Sequence, residues 1–393
     1  MNNNFTVSDD ILLSMKDFLI DLRRDLHSHP ELGFEEFRTM EKISSILKSF
    51  NVNHKTKIAN TGIIADIEGE DKNFTIAFRA DMDALPMEDK KTCSYSSKNK
   101  GKCHSCGHDV HTAILTGTAK YFSEIKPPCN IRLIYQPAEE TTGGALPMIE
   151  EGALNNVNVI YGLHVRPEIR VGQISFTYGA MYASSNMFEV NIKGKSAHGA
   201  KSYYGTDSII IASHIITQLH SFVSAFTDGS MRLHIGTING GTANNIVAEN
   251  VKMEGIIRML CDDEARDYRL KMIENIIVNT AKSFGGYAEF INIPSYPALI
   301  NHDNAVNIII ESGSMFLGKE NCIKENPNMT TEDFSYYLQR VKGAFFSLGV
   351  SNDKINAPIH NSLFDIDEDA INIGVKMQVL NVYNTYKNKE LFL

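Results

Sequence analysis

From Ser8 to Leu26 the apolar residues Ile11, Leu12, Met15, Phe18, Leu19, Leu22 and Leu26 recur at three- and four-residue intervals. That spacing lines one face of a helix, with Ser8 as its cap and Asp9 and Asp10 in its first turn. "EEFRTMEKISSILKSF" predicts a second helix. Then come strands "TGIIADIEG" and "FTIAFRA", a loop rich in Cys and His, a helix "TAILTGTAKYFSEI", and strands "NIRLIYQP" and "NVIYGLHV". Short strands apolar at successive positions, alternating with helices, predict an α/β sheet covered on both faces. Such sheets place their sites just beyond strand ends.

After about Ala183 the rhythm changes. "NMFEVNIKG", a long helix "TDSIIIASHIITQLHSFVSAF", strands "MRLHIGTING" and "NIVAENVKMEGIIRML", a charged helix "DDEARDYRLKMIENIIVNTAKSF" and a strand "YAEFINI" follow in order. This β-α-β-β-α-β series is the ferredoxin-like order. It predicts an inserted α+β domain over 184–293, within a discontinuous mixed-sheet α/β domain made of 1–183 and 294–393. "NAVNIIIESGSMFL" and "GAFFSLGV" resume the helix and strand alternation and can rejoin the first sheet. Apart from the Asn run at 2–4 there is no low-complexity tract and no internal repeat.

Composition narrows the class. A chain of 393 residues that is 43% hydrophobic and 22% charged is folded, and its length suits two or three domains. The formal charge of −9 leaves no basic stripe for phosphates, so nucleic acid is not an expected partner. No segment reaches 18 uninterrupted apolar residues, no signal-peptide pattern opens the chain, and six scattered cysteines do not make a disulfide scaffold. A cytoplasmic protein with reduced thiols, no membrane contact and a small-molecule substrate is expected.

The loop "GKCHSCGHDVH" is where chemistry concentrates. Cys106 and His108 are separated by a glycine, so thiolate and imidazole can turn toward one divalent metal, although Cys103 with Cys106 also reads as a redox pair or a polar loop. In "IYQPAEETTGG", Glu139 and Glu140 follow an apolar strand. Neighbours in an extended segment point oppositely, so one can bind metal while the other faces substrate. His164 in "YGLHV" and His360 in "APIHNSLFD" complete five candidate ligands, Cys106, His108, Glu140, His164 and His360. Five exceed one four-coordinate site with an open position and suit a two-metal site with a shared ligand. Such ions acidify bound water, and the spare Glu139 can relay its proton to a leaving amine, which is amide hydrolysis. A thiolate ligand favours zinc, manganese, cobalt or nickel over calcium.

The runs "DLHSHPELGFEE", "FRADMDALPMED", "CHSCGHDVHTAILTG", "YQPAEETTGGA", "KGKSAHGA", "GGTANNIV", "TTEDFSYYL" and "PIHNSLFD" resemble, in order over nearly the whole chain, the dinuclear metallopeptidase family of aminoacylases and glutamate carboxypeptidases. They are most similar to its amidohydrolase branch of hippurate, auxin-conjugate and N-acetyl-diaminopimelate hydrolases. The resemblance implies two divalent ions on Cys106, His108, Glu140, His164 and His360, with Glu139 as general base. It also implies a second role for the inserted domain, as lid and homodimer contact, with His198 steadying the oxyanion in a neighbouring subunit's site. By the same resemblance Asp81 orients a ligand imidazole, and Asn245 and Arg258 hold the substrate carboxylate. Arg79 stands where the wider family has a histidine ligand, and Cys103 and Ser105 stand where Met and Ala are common. A Cys103–Cys106 disulfide that disables the site on oxidation is a further expectation.

The expected activity is metal-dependent removal of an acyl group from an N-acyl amino acid. A dipeptidase or carboxypeptidase on the same scaffold is an alternative, as are a cysteine-nucleophile hydrolase built on Cys106 and His108, and a catalytically silent binding protein. Neither a G-x-G-x-x-G after a strand nor a P-loop is present, which disfavours a nucleotide-dependent oxidoreductase.

Overall fold

In the computed structural model, which describes residues 7–226 and 228–393, the opening Asn run lies outside the described residues. The N-terminal helical pattern forms two helices, α1 (Asp9–Ser14) and α2 (Lys16–Ser28), with Met15 between them at φ −97° and ψ −3°. Ser8 caps α1, its Oγ accepting from the Ile11 N–H at 3.5 Å. Leu12, Met15, Leu19, Leu22 and Leu26 are buried, as their spacing requires. There follow α3 (Phe37–Ser49), β1 (Asn53–Ile58), β2 (Gly62–Ile67), β3 (Asp71–Asp81), α4 (His108–Glu124), β4 (Cys129–Gln136), α5 (Ala145–Glu150), β5 (Val159–Arg170) and β6 (Ile174–Phe176). β7 (Gly179–Tyr182) leads into β8 (Ser184–Lys193), α6 (Ser208–Phe226), β9 (Met231–Gly240), β10 (Asn250–Met259), α7 (Asp263–Ser283) and β11 (Tyr287–Pro294). The chain ends through β12 (Leu299–Asn301), α8 (Asp303–Ser314), β13 (Cys322–Lys324), α9 (Ser335–Leu338), β14 (Gly343–Ser351) and α10 (Asp369–Lys387).

Two compact units result. One takes the chain up to Gly179 with Asn301–Asn326 and Tyr336–Leu393; the other takes Ala180–Ile300 with Pro327–Ser335. The first contains an eight-stranded sheet in the order β1-β2-β4-β3-β5-β14-β6-β13. β3 runs parallel to β4 and β5, and β5 parallel to β14, whereas β1 and β2 are antiparallel. Every residue of β14 is buried, as befits a strand covered on both faces, while edge strand β1 alternates exposed and half-buried positions. Helix α10 is buried nearly all round from Ala370 to Thr385.

The second unit is a four-stranded antiparallel sheet in the order β11-β8-β10-β9. Ile211, Ile215 and Leu219 of α6 and Ile273 and Ile277 of α7 join Val190, Ile192, Val251 and Met253 of the sheet in one core. This is the ferredoxin-like arrangement expected from the order of elements. Among the described residues α6, over Ser208–Ala225, is the one helix long and apolar enough to cross a membrane. β10 starts at Asn250, later than the apolar run beginning at Asn245 predicts, because the chain first turns, with the Ile246 N–H donating to Ala243 O at 3.3 Å.

Candidate active site

The five candidate ligands lie in the first unit, delivered by four segments. Cys106 and Gly107 immediately precede α4, whose first residue is His108. Gly107 has φ +89°, and a Cβ there would sit 2.2 Å from Val165 Cγ2, so only glycine lets this loop close against β5. Glu139 and Glu140 follow β4 through Ala138, itself in the left-handed region at φ +56°. Glu36 holds that turn: its Oε1 accepts from the Ala138 N–H at 2.8 Å and its Oε2 from Thr61 Oγ1 at 2.5 Å. His164 lies within β5, which runs on to Arg170 instead of ending at the histidine. His360 sits beyond β14 at φ +58°, its N–H donating to Ser105 O at 2.8 Å. A non-glycine residue held with positive φ costs on the order of 1–3 kcal/mol, and two such residues border this site.

The side chains converge in overlapping triads. Cys106, His108 and His164 offer ligand atoms within 4.8 Å of one another, as do Cys106, Glu140 and His360, and His108, Glu139 and Glu140. His164 Nδ1 donates to Val165 O at 2.7 Å, which leaves the Nε2 lone pair facing Cys106 Sγ at 3.3 Å. His108 Nδ1 lies 3.1 Å from Asp83 Oδ1, and its Nε2 is 3.9 Å from Glu140 Oε1. His360 Nε2 approaches the same Glu140 oxygen at 3.2 Å. His108 Nε2 is buried without a hydrogen-bond partner, and Glu140 Oε1 is buried with the His360 ring nitrogen beside it. Buried polar atoms are nearly always satisfied, so an imidazole nitrogen and a carboxylate oxygen turned toward one point fit a cation there. It would take the place of the proton that, against burial, Asp81 and Cys106 favour on the His108 ring.

The electrostatics prepare the same role. Burial lowers His164 to about 4, so it is a neutral imidazole at pH 7 with a free lone pair. Burial also pushes Glu140 up, but the His360 and His108 rings outweigh this and hold its carboxyl at about 2. Burial pushes the Cys106 thiol well up, with His108 opposing; the start of α4 favours the thiolate, and a bound cation would complete that shift.

Asp81 accepts from Arg79 Nη1 at 2.6 Å and meets His111 Nδ1 at 2.6 Å, while lying 3.6 Å from His108 Nε2. His111 is unavailable as a ligand, since its Nε2 accepts from the Val165 N–H at 2.9 Å. Arg79 fills its position by donating also to Gln136 Oε1 at 2.9 Å. Sequence reasoning missed Asp83, whose second oxygen accepts from the Glu140 N–H at 2.9 Å, so that one carboxylate orients two candidate ligands. The signal was its period-two spacing from Asp81 at the end of β3. Asp109 is tied to Arg23 Nε at 2.9 Å and to His27 Nδ1 at 2.7 Å. All six cysteines are free, and Cys103 is grouped with His27 and Asp89.

His198, Asn245 and Arg258 belong to the second unit. His198 is exposed, and its Nδ1 accepts from the Ala200 N–H at 3.1 Å, which assigns the neutral ring's proton to Nε2. The loops carrying His198 and Asn245 adjoin, with the Gly199 N–H donating to Asn245 O at 2.7 Å. Arg258 lies on β10, its Nη1 buried without a partner.

Known proteins place this arrangement. N-acetyl-L-cysteine deacetylase of Bacillus subtilis (strain 168) is 37% identical over 364 residues, covering 92% of this chain and 86% of the relative. N-acetyldiaminopimelate deacetylase of Halalkalibacterium halodurans is 34% identical, covering 92% and 98%. The crystal structure of the YxeP protein of Bacillus subtilis, described as a dinuclear metal binding peptidase from the M20 family, superposes with a TM-score of 0.83 at 32% identity, covering 94% of this chain and 98% of that one. Residues 77–383, the span that carries all five candidate ligands, match the family described as Peptidase family M20/M25/M40, and this chain belongs to it.

Proposed function

We propose that the protein is a metal-dependent amidohydrolase that releases the acyl group from N-acyl amino acids. The observation that carries this reading is the convergence of Cys106, His108, Glu140, His164 and His360 with the neighbouring Glu139. Cys106, His108 and Glu140 each take part in two of the triads, an overlap that suits a pair of ions with a shared ligand. Divalent ions held there would supply Lewis-acid activation of water and of the scissile carbonyl. Zinc, manganese, cobalt and nickel fit a donor set of thiolate, imidazoles and carboxylate.

Glu139 is assigned the proton transfers. Its carboxylate, grouped with His108 and Glu140, takes a proton from the attacking water and returns it to the departing amine nitrogen. Asp83 fixes the His108 imidazole, whereas Asp81, expected to orient a ligand, holds the neighbouring His111 ring instead. His198, with its ring proton on Nε2, is assigned to the developing oxyanion, and Asn245 and Arg258 to the carboxylate of the amino-acid product. Acyl amino acids named for the relatives are the substrate class to test, and a homodimer formed through the second unit is the assembly. Six thiols without disulfides suit a cytoplasmic location.

The test is a panel of N-acetyl and N-benzoyl amino acids and dipeptides, assayed on chelator-stripped protein reloaded with each metal. Hydrolysis of acyl amino acids should disappear on stripping and return on reloading. Glu139→Gln should keep bound metal and lose most turnover. Activity that survives chelation, or full turnover in Glu139→Gln, would overturn the reading; preference for dipeptides would redirect it to a dipeptidase.

A further inference from the structure

We propose that the first unit binds a further divalent transition-metal ion between His27, Asp89 and Cys103, three residues that take no part in the centre described above. Their ligand atoms lie within 4.8 Å of one another. His27 comes from α2, Asp89 from the segment after β3, and Cys103 from the loop leading to Cys106. All three side chains are essentially inaccessible: His27 and Cys103 are 0% exposed, and the Asp89 side chain is 1% exposed.

The hydrogen-bonding pattern around His27 is what points to a cation. Its Nδ1 meets Asp109 Oδ2 at 2.7 Å, and Asp109 is itself anchored by the buried Arg23. A carboxylate at Nδ1 fixes the proton there and leaves a lone pair on Nε2. In the neutral ring that lone pair faces Asp89 Oδ2 at 3.5 Å, and Nε2 is buried with no hydrogen-bond partner. At 3.5 Å the contact is too long for a strong charge-assisted hydrogen bond. It matches instead the separation of two ligands on one tetrahedral ion: bonds of about 2.05 Å at the tetrahedral angle put ligand atoms about 3.4 Å apart. The carboxylate–histidine arrangement, Asp109 behind His27, is the one that usually backs a metal-bound imidazole.

The remaining ligands are held ready. Asp89 accepts from the Ser97 N–H at 2.9 Å and the Lys91 N–H at 3.0 Å, and its Oδ1 pairs with Lys91 Nζ at 3.3 Å, leaving Oδ2 toward His27. Cys103 exchanges both backbone hydrogen bonds with Leu85 at 3.0 Å. His104 lies nearby, its ring centre 6.2 Å from that of His27 and its two nitrogens both buried without partners. Burial pushes the Cys103 thiol up to about 12, so ion binding there must release its proton to solvent as the S–metal bond forms. Imidazole, carboxylate and thiolate together select zinc, cobalt or nickel over calcium or magnesium. An ion here would tie α2 to the loop that presents Cys106 and His108, a structural role.

The experiment uses Co2+ as probe on the full chain, in a Cys106→Ser/Glu140→Gln background that removes two ligands of the main centre. After chelator stripping and dialysis against Co2+, this variant should retain about one cobalt per chain and show thiolate-to-cobalt absorption in the near ultraviolet. Adding Cys103→Ser should abolish the absorption, and adding Asp89→Asn instead should abolish cobalt retention while the thiol remains, with far-ultraviolet circular dichroism unchanged in at least one of the two. No retained cobalt in the background variant, or thiolate absorption that survives Cys103→Ser, would overturn the proposal. The unaltered chain counts the main centre separately, since a total of about three ions is expected against about two if only that centre binds.

Discussion

Replacing Asp83 by Asn should weaken metal binding without unfolding the protein. The Asp83 side chain is buried and serves two clients, His108 Nδ1 at 3.1 Å and the Glu140 N–H at 2.9 Å. Both need an acceptor. Asparagine has the same shape but only one oxygen, so whichever way the amide turns, its NH2 faces an N–H. One hydrogen bond is lost and two buried donors oppose each other, which costs ~1–3 kcal/mol. Relief comes from rotating the His108 ring or shifting the turn at Glu140, and either misaligns a ligand. At about 1.4 kcal/mol per tenfold, affinity for a divalent ion should fall roughly 5- to 150-fold. Competition against a chromophoric chelator with Zn2+ or Mn2+ reads this directly, and thermal melting of the stripped chain reads the fold. Asp81→Asn is the contrast, because Asp81 pairs with the buried guanidinium of Arg79; breaking that pair should cost ~3–5 kcal/mol of stability and lower the melting temperature. Affinity in Asp83→Asn within twofold of the unaltered chain would refute the assignment.

Glu36 predicts an unusual pH dependence. Burial raises its carboxyl from 4.5 to about 7, although Thr61 and its backbone donors oppose the shift. Because the folded pKa is the higher one, the native state keeps a proton that the unfolded chain releases. The contribution is therefore full below 4.5 and is lost as pH rises to about 7, in total ~3 kcal/mol. Urea titrations at intervals from pH 4.5 to 8 should show the stability difference between Glu36→Gln and the unaltered chain changing across that window and flat beyond it; a constant difference would count against it. Gly107→Ala should lose both stability and metal affinity, since its Cβ would overlap Val165 beside His164 at a left-handed φ. Melting and chelator competition check this, and wild-type behaviour in both would contradict it.

What could be read in advance depended on how local the determinants were. The ferredoxin-like unit was legible because each element carries its own period and each strand pairs with neighbours of the same unit, as in β8 with β10 and β11. Helix α10 went unread: it is buried on nearly every side, with Gln378, Asn381 and Thr385 inside, so no amphipathic period marks it. β1 was missed as a weakly patterned edge, and the break at Met15 is a single residue's backbone geometry inside an otherwise continuous stripe. The ligand candidates stood out by residue type and by their place near strands. Asp83 and Glu36 did not, because their importance lies in which distant backbone N–H they meet, Glu140 and Ala138, and no spacing along the chain encodes that.

The position of β14 has a consequence for biosynthesis. It lies between β5 and β6 inside the large sheet, yet it is translated only after the whole inserted unit, and His360 follows it. Until then β5 presents an unpaired edge on the side β14 will occupy, while the whole inserted unit is already being translated. A nascent polypeptide therefore passes through a stage that can fold its insert but cannot finish its sheet or gather its ligands. Loading of the proposed centre must wait until His360 has emerged, and products terminated before β14 should be inert, sticky at that strand edge, and dependent on holding chaperones.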